Sequence, residues 1–372
     1  MGDTAATECL FNVMLKTFRE ECLPLYKEGW QHFNESTKAK LTEMNNFFCG
    51  LHLLVSMAET ISSSFKTYED MHTDPNPGAA SIPGVNVSKT EAGTTRFVRT
   101  ACKAFSKGGD EKSGCHRAWK TFLKRCNITK TYLLNFHGNR FNVIFLLGGC
   151  VYHLHNKITE FLSKVHGTPN KLLKAVHADV GVPVYIVGCR VLGLLNKLIT
   201  APLWRITEKE GHILDLCQTY TSLHTFLGEC ISDDSKLEEF MQGNLSCFPE
   251  ELISKDEVLE SLTEKTEHDG EVHSMLKHTF IALHQLLERV TKDYLPGGKY
   301  HDLQEDETYV SETASAPKHN KLPERIFGYL DFLLKKRPNV AAITNEAQIM
   351  FLFNKTSQYI DALSSEKFEG ML

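Results

Sequence analysis

Helical periodicity constrains this chain more than any other feature. Residues 8–26 place Leu10, Met14 and Phe18 four apart, and residues 44–65 gather Met44, Phe47, Phe48, Leu51, Leu54, Val55 and Ala58 on one stripe. Both are patterns of an amphipathic helix. Between residues 275 and 295, Leu276, Phe280, Leu283, Leu287, Val290 and Tyr294 recur in alternating steps of four and three, a seam suited to packing on another helix. Leu322 to Arg337 has Pro323 in its first turn, Lys335, Lys336 and Arg337 in its last, and Pro338 beyond, so its start and stop are both written locally. Its expected buried stripe is Ile326, Phe327, Leu330, Leu333 and Leu334. Strand signals are few, with Val182 to Val187 the best of them, and no internal repeat is present. The predicted fold class is therefore mainly α with few strands.

Two polar stretches punctuate the helices. His72 to Thr95 is rich in Pro, Gly, Ser and Thr, and Pro296 to Asn320 has a Pro-Gly-Gly entry and no apolar period. They divide the 372 residues into blocks at 1–71, 96–295 and 321–372, with a linker at 72–95 and a loop at 296–320.

Composition excludes wholesale disorder, since 42% hydrophobic and 23% charged residues are ordinary for a globular chain. Eleven cysteines at irregular spacing, with no secretory signal pattern, point to reduced thiols and a nuclear or cytoplasmic rather than secreted protein. The apolar stretch Val182 to Trp204 is broken by Arg190, Asn196, Lys197 and Pro202 and reads as buried core, so no membrane association is expected.

The net charge of −5 conceals an asymmetry. From Arg96 to Lys130 there are ten Lys or Arg against Asp110 and Glu111, with Phe97, Phe105, Trp119 and Phe122 interleaved. Arg99, Lys103, Lys107, Arg117, Lys120, Lys124 and Arg125 are the candidate phosphate contacts of this segment, the alternative being a solvated helix face. Between Glu229 and Glu271 the balance reverses, with fourteen acids against Lys236, Lys255 and Lys265.

Other chemistry-bearing residues have plainer readings. Cys49 and His52 stand at i and i+3, two ligands where zinc needs four. Cys102, Cys115, His116 and Cys126 match no short-knuckle zinc spacing. His273 and His278 are five apart, roughly 140° around a helix, and cannot share a face. Asp3 reads as an N-cap and Glu324 as a first-turn acid favourable to the helix dipole, with Asp331 on the same face. No Walker loop, nucleophile elbow, Gly-x-Gly-x-x-Gly or His-Glu-x-x-His occurs.

In order along the chain, Gly2-Asp3-Thr4-Ala5-Ala6-Thr7-Glu8, Cys49-x-x-His52, Gly138-Asn139-Arg140-Phe141-Asn142 and Glu324-Arg325-Ile326-Phe327 resemble the second half of hAT-superfamily DNA transposases. The closing Lys335-Lys336-Arg337-Pro338-Asn339, then Asn345-Glu346-Ala347 and an apolar helix to Phe353, is similar to that family's carboxy-terminal dimerisation region. The resemblance implies a helical insertion domain and the carboxy-terminal remnant of an RNase H-like core. It makes Asp3 and Glu324 the second and third carboxylates of a Mg or Mn site, Cys49 and His52 the family signature, and Arg140 and Phe141 its DNA-contacting pair, with Phe141 where the family has Trp. The first aspartate has no counterpart, so a two-metal centre, which needs hard oxygen ligands around both ions, is not expected to assemble. The implied function is DNA binding by a transposon-derived homodimer without independent strand transfer. The alternatives are a helical interaction protein without DNA binding, or part of an active transposase.

Overall fold

The computed structural model describes residues 6–136 and 142–363. Its contacts divide the chain into two units, Met1–Lys318 and His319–Leu372. The first unit holds α1 (Ala6–Tyr26), α2 (Glu35–Thr42), α3 (Gly50–His72), α4 (Gly93–Phe105), α5 (His116–Arg125), α6 (Val143–Glu160), α7 (Lys171–Val180), α8 (Pro183–Leu195) and α9 (Ala201–Glu208). It continues through α10 (Asp215–Ser232), α11 (Asp234–Met241), α12 (Glu257–Thr263), α13 (Asp269–Val290), α14 (Lys299–Leu303) and α15 (Glu307–Glu312). The second unit holds α16 (Lys321–Lys336), α17 (Ala342–Phe353) and α18 (Thr356–Asp361). The fold is mainly helical, and no strand element occurs among the described residues.

The expected strand at 182–187 is corrected to a helix. Val182 is extended, but Pro183 opens α8, its fixed φ suiting a first helical turn. A short apolar run cannot distinguish a buried strand from a buried helix, and here the run continues through a π-turn at Asn196–Thr200 into α9. By length and composition this 26-residue helix, Pro183–Glu208, could cross a bilayer; 78% of its apolar window is buried within the protein, as in a core helix.

The contacts of α13 and the crossing of α6 with α8 organise the core. α13 packs against α3, α10 and α8, and its seam of Leu276, Phe280, Leu283, Leu287 and Val290 is buried as its spacing predicts. α6 and α8 cross at Gly149 and Gly193, where a Cβ on Gly193 would lie 2.7 Å from the Gly149 Cα and 2.5 Å from Leu262 Cδ2. Only residues without a side chain permit that approach.

Three buried charged side chains, Arg96, Glu69 and Arg190, join distant segments through hydrogen bonds, as burial requires. Arg96 is bidentate to Asp179, at 3.1 and 2.7 Å, and the same carboxylate accepts from the Ala79 amide at 2.8 Å. The 72–95 stretch, expected as a linker, thus carries a 3-10 turn at Gly78–Ser81 docked on α7. Glu69 caps α4 by accepting from the Gly93 and Thr94 amides and the Thr94 hydroxyl, where a carboxylate favours the helix dipole. Arg190 on α8 donates to the Leu262 and Glu264 carbonyls and to Asp269, fastening the end of α12. The 296–320 stretch contains α14 and α15, and buries Tyr300 and Lys318, the latter 3.2 Å from Asp215.

The second unit has little interior. Of the expected α16 stripe only Leu333 is buried, while Phe327 is 67% and Leu334 47% exposed. The spacing identified an amphipathic helix correctly, but three short helices cannot cover its apolar side. Arg337 donates to Asn345 and Gln348, and Gln348 to the Tyr329 hydroxyl, so polar bonds hold α16 to α17.

Candidate nucleic-acid interface

The basic segment folds as α4, a tight connection, and α5. Asp110 organises the connection by accepting from the Lys112 and Ser113 amides at 3.0 and 2.7 Å, and those backbone bonds hold its carboxyl below the usual aspartate range. A Cβ on Gly109 or Gly114 would lie 2.4 Å from a backbone oxygen, so both positions demand glycine. The Cys115 amide donates to the Ala104 carbonyl at 2.8 Å, and the His116 ring bonds to the Phe105 carbonyl at 2.8 Å. These contacts set the start of α5 against the end of α4.

One side of α5 is inside and the other in solvent. Trp119, Phe122 and Leu123 are buried, with Trp119 4.7 Å from Phe105 and 5.3 Å from Phe161 between ring centroids. Arg117, Lys120, Lys124 and Arg125 are exposed, and none has a carboxylate within ion-pair distance among the described residues. Arg117, Lys120 and Lys124 stand at i, i+3 and i+7, a stripe about 10 Å long at 1.5 Å per residue. Lys124 and Arg125 fall in the last turn, where cations also favour the helix dipole. Arg117, Thr121 and Arg125 edge a groove completed by Phe161, Val165 and His166.

The other predicted contacts separate from this stripe. Arg99 is bidentate to Glu91 at 2.9 and 2.7 Å, and Lys103 lies 3.4 Å from Asp110. Lys107 is exposed, and Arg140 and Phe141 lie outside the described residues. The interleaved aromatics do not serve as a base-stacking surface: Phe97, Phe105, Trp119 and Phe122 are all in the core. Apolar residues among regularly spaced cations are the mark of an amphipathic helix, and the charges alone reach solvent.

The metal candidates resolve similarly. Cys49 is buried at the N-cap of α3, its carbonyl accepting from the His52 amide at 3.0 Å. Burial raises the Cys102 thiol above its ordinary range and pushes Cys115 up to about 12. His273 lies 3.7 Å from Asp234 and His278 packs near the Tyr68 ring, two separate environments as their spacing predicts. Asp3 lies outside the described residues, and Glu324 sits in the first turn of α16. Among the described residues no set of three ligand groups includes Glu324, so the structure gives no basis for routing chemistry through Mg or Mn there. The set that does converge, His224, His284 and Glu288, escapes sequence inspection except for the i, i+4 spacing of its last two members.

Comparison with known proteins gives no match: no family model, no curated protein and no solved structure corresponds to the chain.

Proposed function

We propose that this chain is a DNA-binding protein of hAT-transposase descent that holds the nucleic-acid backbone on the exposed face of α5. The observation that carries the reading is the stripe of Arg117, Lys120, Lys124 and Arg125, exposed, without carboxylate partners among the described residues, and mounted on a helix whose other side is locked in the core. Flexible cations spread over a surface would pay more to be ordered on a polyanion than cations already presented in a row. Such residues position phosphates without reading sequence. On the same reading residues 96–295 stand for the helical insertion domain, whose start lies within 1–71, and residues 321–372 for the carboxy-terminal dimerisation-like helices.

Binding to branched or hairpin DNA, measured by fluorescence anisotropy across a salt series, tests this. Four phosphate contacts give a log–log slope of about −3.6, or roughly a 150-fold fall in affinity between about 50 and 200 mM salt. The variant with all four residues changed to alanine is expected to lose that slope. A wild-type slope in the variant would remove α5 from the interface.

A second reading, a homodimeric interaction protein, is favoured by the bare apolar surface of the second unit, where Phe327, Phe332, Ile343, Met350, Phe351 and Leu352 are each about half exposed or more. Apolar surface of this kind marks association sites in soluble proteins. Sedimentation equilibrium is expected to show a dimer that persists at high salt and dissociates in the Phe327→Asp, Leu352→Asp variant. A monomer at every wild-type concentration would reject this reading without touching the DNA proposal.

A further inference from the structure

His224 on α10 and His284 and Glu288 on α13 meet where these two helices pack. The imidazole rings lie 4.0 Å apart between centroids, tilted by 32°, and are 29% and 23% exposed. His224 Nε2 is 3.4 Å and His284 Nδ1 3.8 Å from the same oxygen, Oε1 of Glu288, and one ligand atom from each residue lies within 4.8 Å of the other two. The two nitrogens thus converge on one carboxylate oxygen, His224 Nε2 at the long end of a hydrogen bond and His284 Nδ1 beyond hydrogen-bond distance.

The 3.4 Å separation falls within, and the 3.8 Å one slightly beyond, the ligand-to-ligand edges around a small ion. With metal–nitrogen and metal–oxygen bonds of about 2.0–2.2 Å, the edge of a tetrahedron is about 3.3–3.6 Å. His284 and Glu288 are one turn apart on one face of α13, so the helix presents both to the same point. Gly228, one turn beyond His224, leaves the His284 ring room to adjust: even a Cβ there would stand 3.5 Å from its Nε2.

We infer that His224, His284 and Glu288 form a binding site for a divalent transition ion of the zinc type. Two imidazoles and one carboxylate select zinc, cobalt or nickel over magnesium or calcium, which prefer all-oxygen ligands. Three protein ligands leave a position for water. The ion bridges α10 and α13, so it couples occupancy to the stability of the first unit. This site is separate from α5 and does not depend on DNA binding.

The test is calorimetric titration of the full chain, with thiols kept reduced, by zinc chloride, together with the absorption spectrum on adding cobalt(II). Wild type is expected to bind one ion, to unfold at a higher temperature when loaded, and to show cobalt d–d bands without a thiolate charge-transfer band. Because losing a mere supporting hydrogen bond weakens metal sites by about 10–100-fold, loss of a ligand in His284→Ala or Glu288→Gln should weaken zinc by about 100-fold or more. Glu288 is more than half exposed, so its conservative replacement leaves the fold in place for the comparison. Absence of zinc binding by wild type, unchanged affinity in both variants, or a thiolate charge-transfer band would each overturn the assignment.

Discussion

Asp179→Ala is expected to lower unfolding stability by about 3–5 kcal/mol, the cost of leaving a buried charge without its partner. Asp179 is fully buried and Arg96 is 6% exposed. Burial opposes the charge on Arg96, but the bidentate Asp179 carboxylate outweighs it and holds the guanidinium above its ordinary pKa. The Asp179 carboxyl lies above the usual aspartate range because of its own burial, which Arg96 and the Ala79 amide only partly offset. The pair therefore matters less for the energy it supplies than for the penalty exposed by breaking it. The double variant Arg96→Met, Asp179→Leu should recover most of the loss, and urea unfolding of the two chains checks both statements. If the single variant loses less than about 1 kcal/mol, water reaches Arg96 and the site is not sealed.

Gly193→Val is expected to cost about 3 kcal/mol or more, since overpacking a close crossing forces backbone shifts. The first added carbon already meets the Gly149 Cα at 2.7 Å and Leu262 Cδ2 at 2.5 Å, and valine adds two methyls beyond it. Gly270→Ala serves as the control. Nothing lies within 4 Å of a Cβ there, and in a helix the change should stabilise by about 0.5–1 kcal/mol. Thermal unfolding separates the two, and equal midpoints would mean that α6 and α8 can part without loss.

Local pattern was enough to locate α13 and α16, because a 3.6-residue apolar period and paired start and stop signals act within a few turns. The same locality explains the misreading of Val182 to Val187, whose apolar run serves a strand or a buried helix equally until its neighbours are known. In the basic segment, sequence located the cations but could not separate those that are paired. Arg99 finds Glu91 and Arg96 finds Asp179, whereas Arg117, Lys120, Lys124 and Arg125 have no carboxylate within ion-pair distance among the described residues. His224 and the pair His284 and Glu288 are too far apart in sequence for spacing to reveal their meeting.

The helical character, the segregated charge and the apolar faces of α3, α13 and α16 are legible in short stretches of side chains, because each of these properties is local. Which apolar faces are covered, which of the described charges lack an ion-pair partner, and which imidazoles share a carboxylate emerge from the packing. Those depend on contacts between helices distant in the chain, where burial removes water and makes the identity of the neighbour decisive.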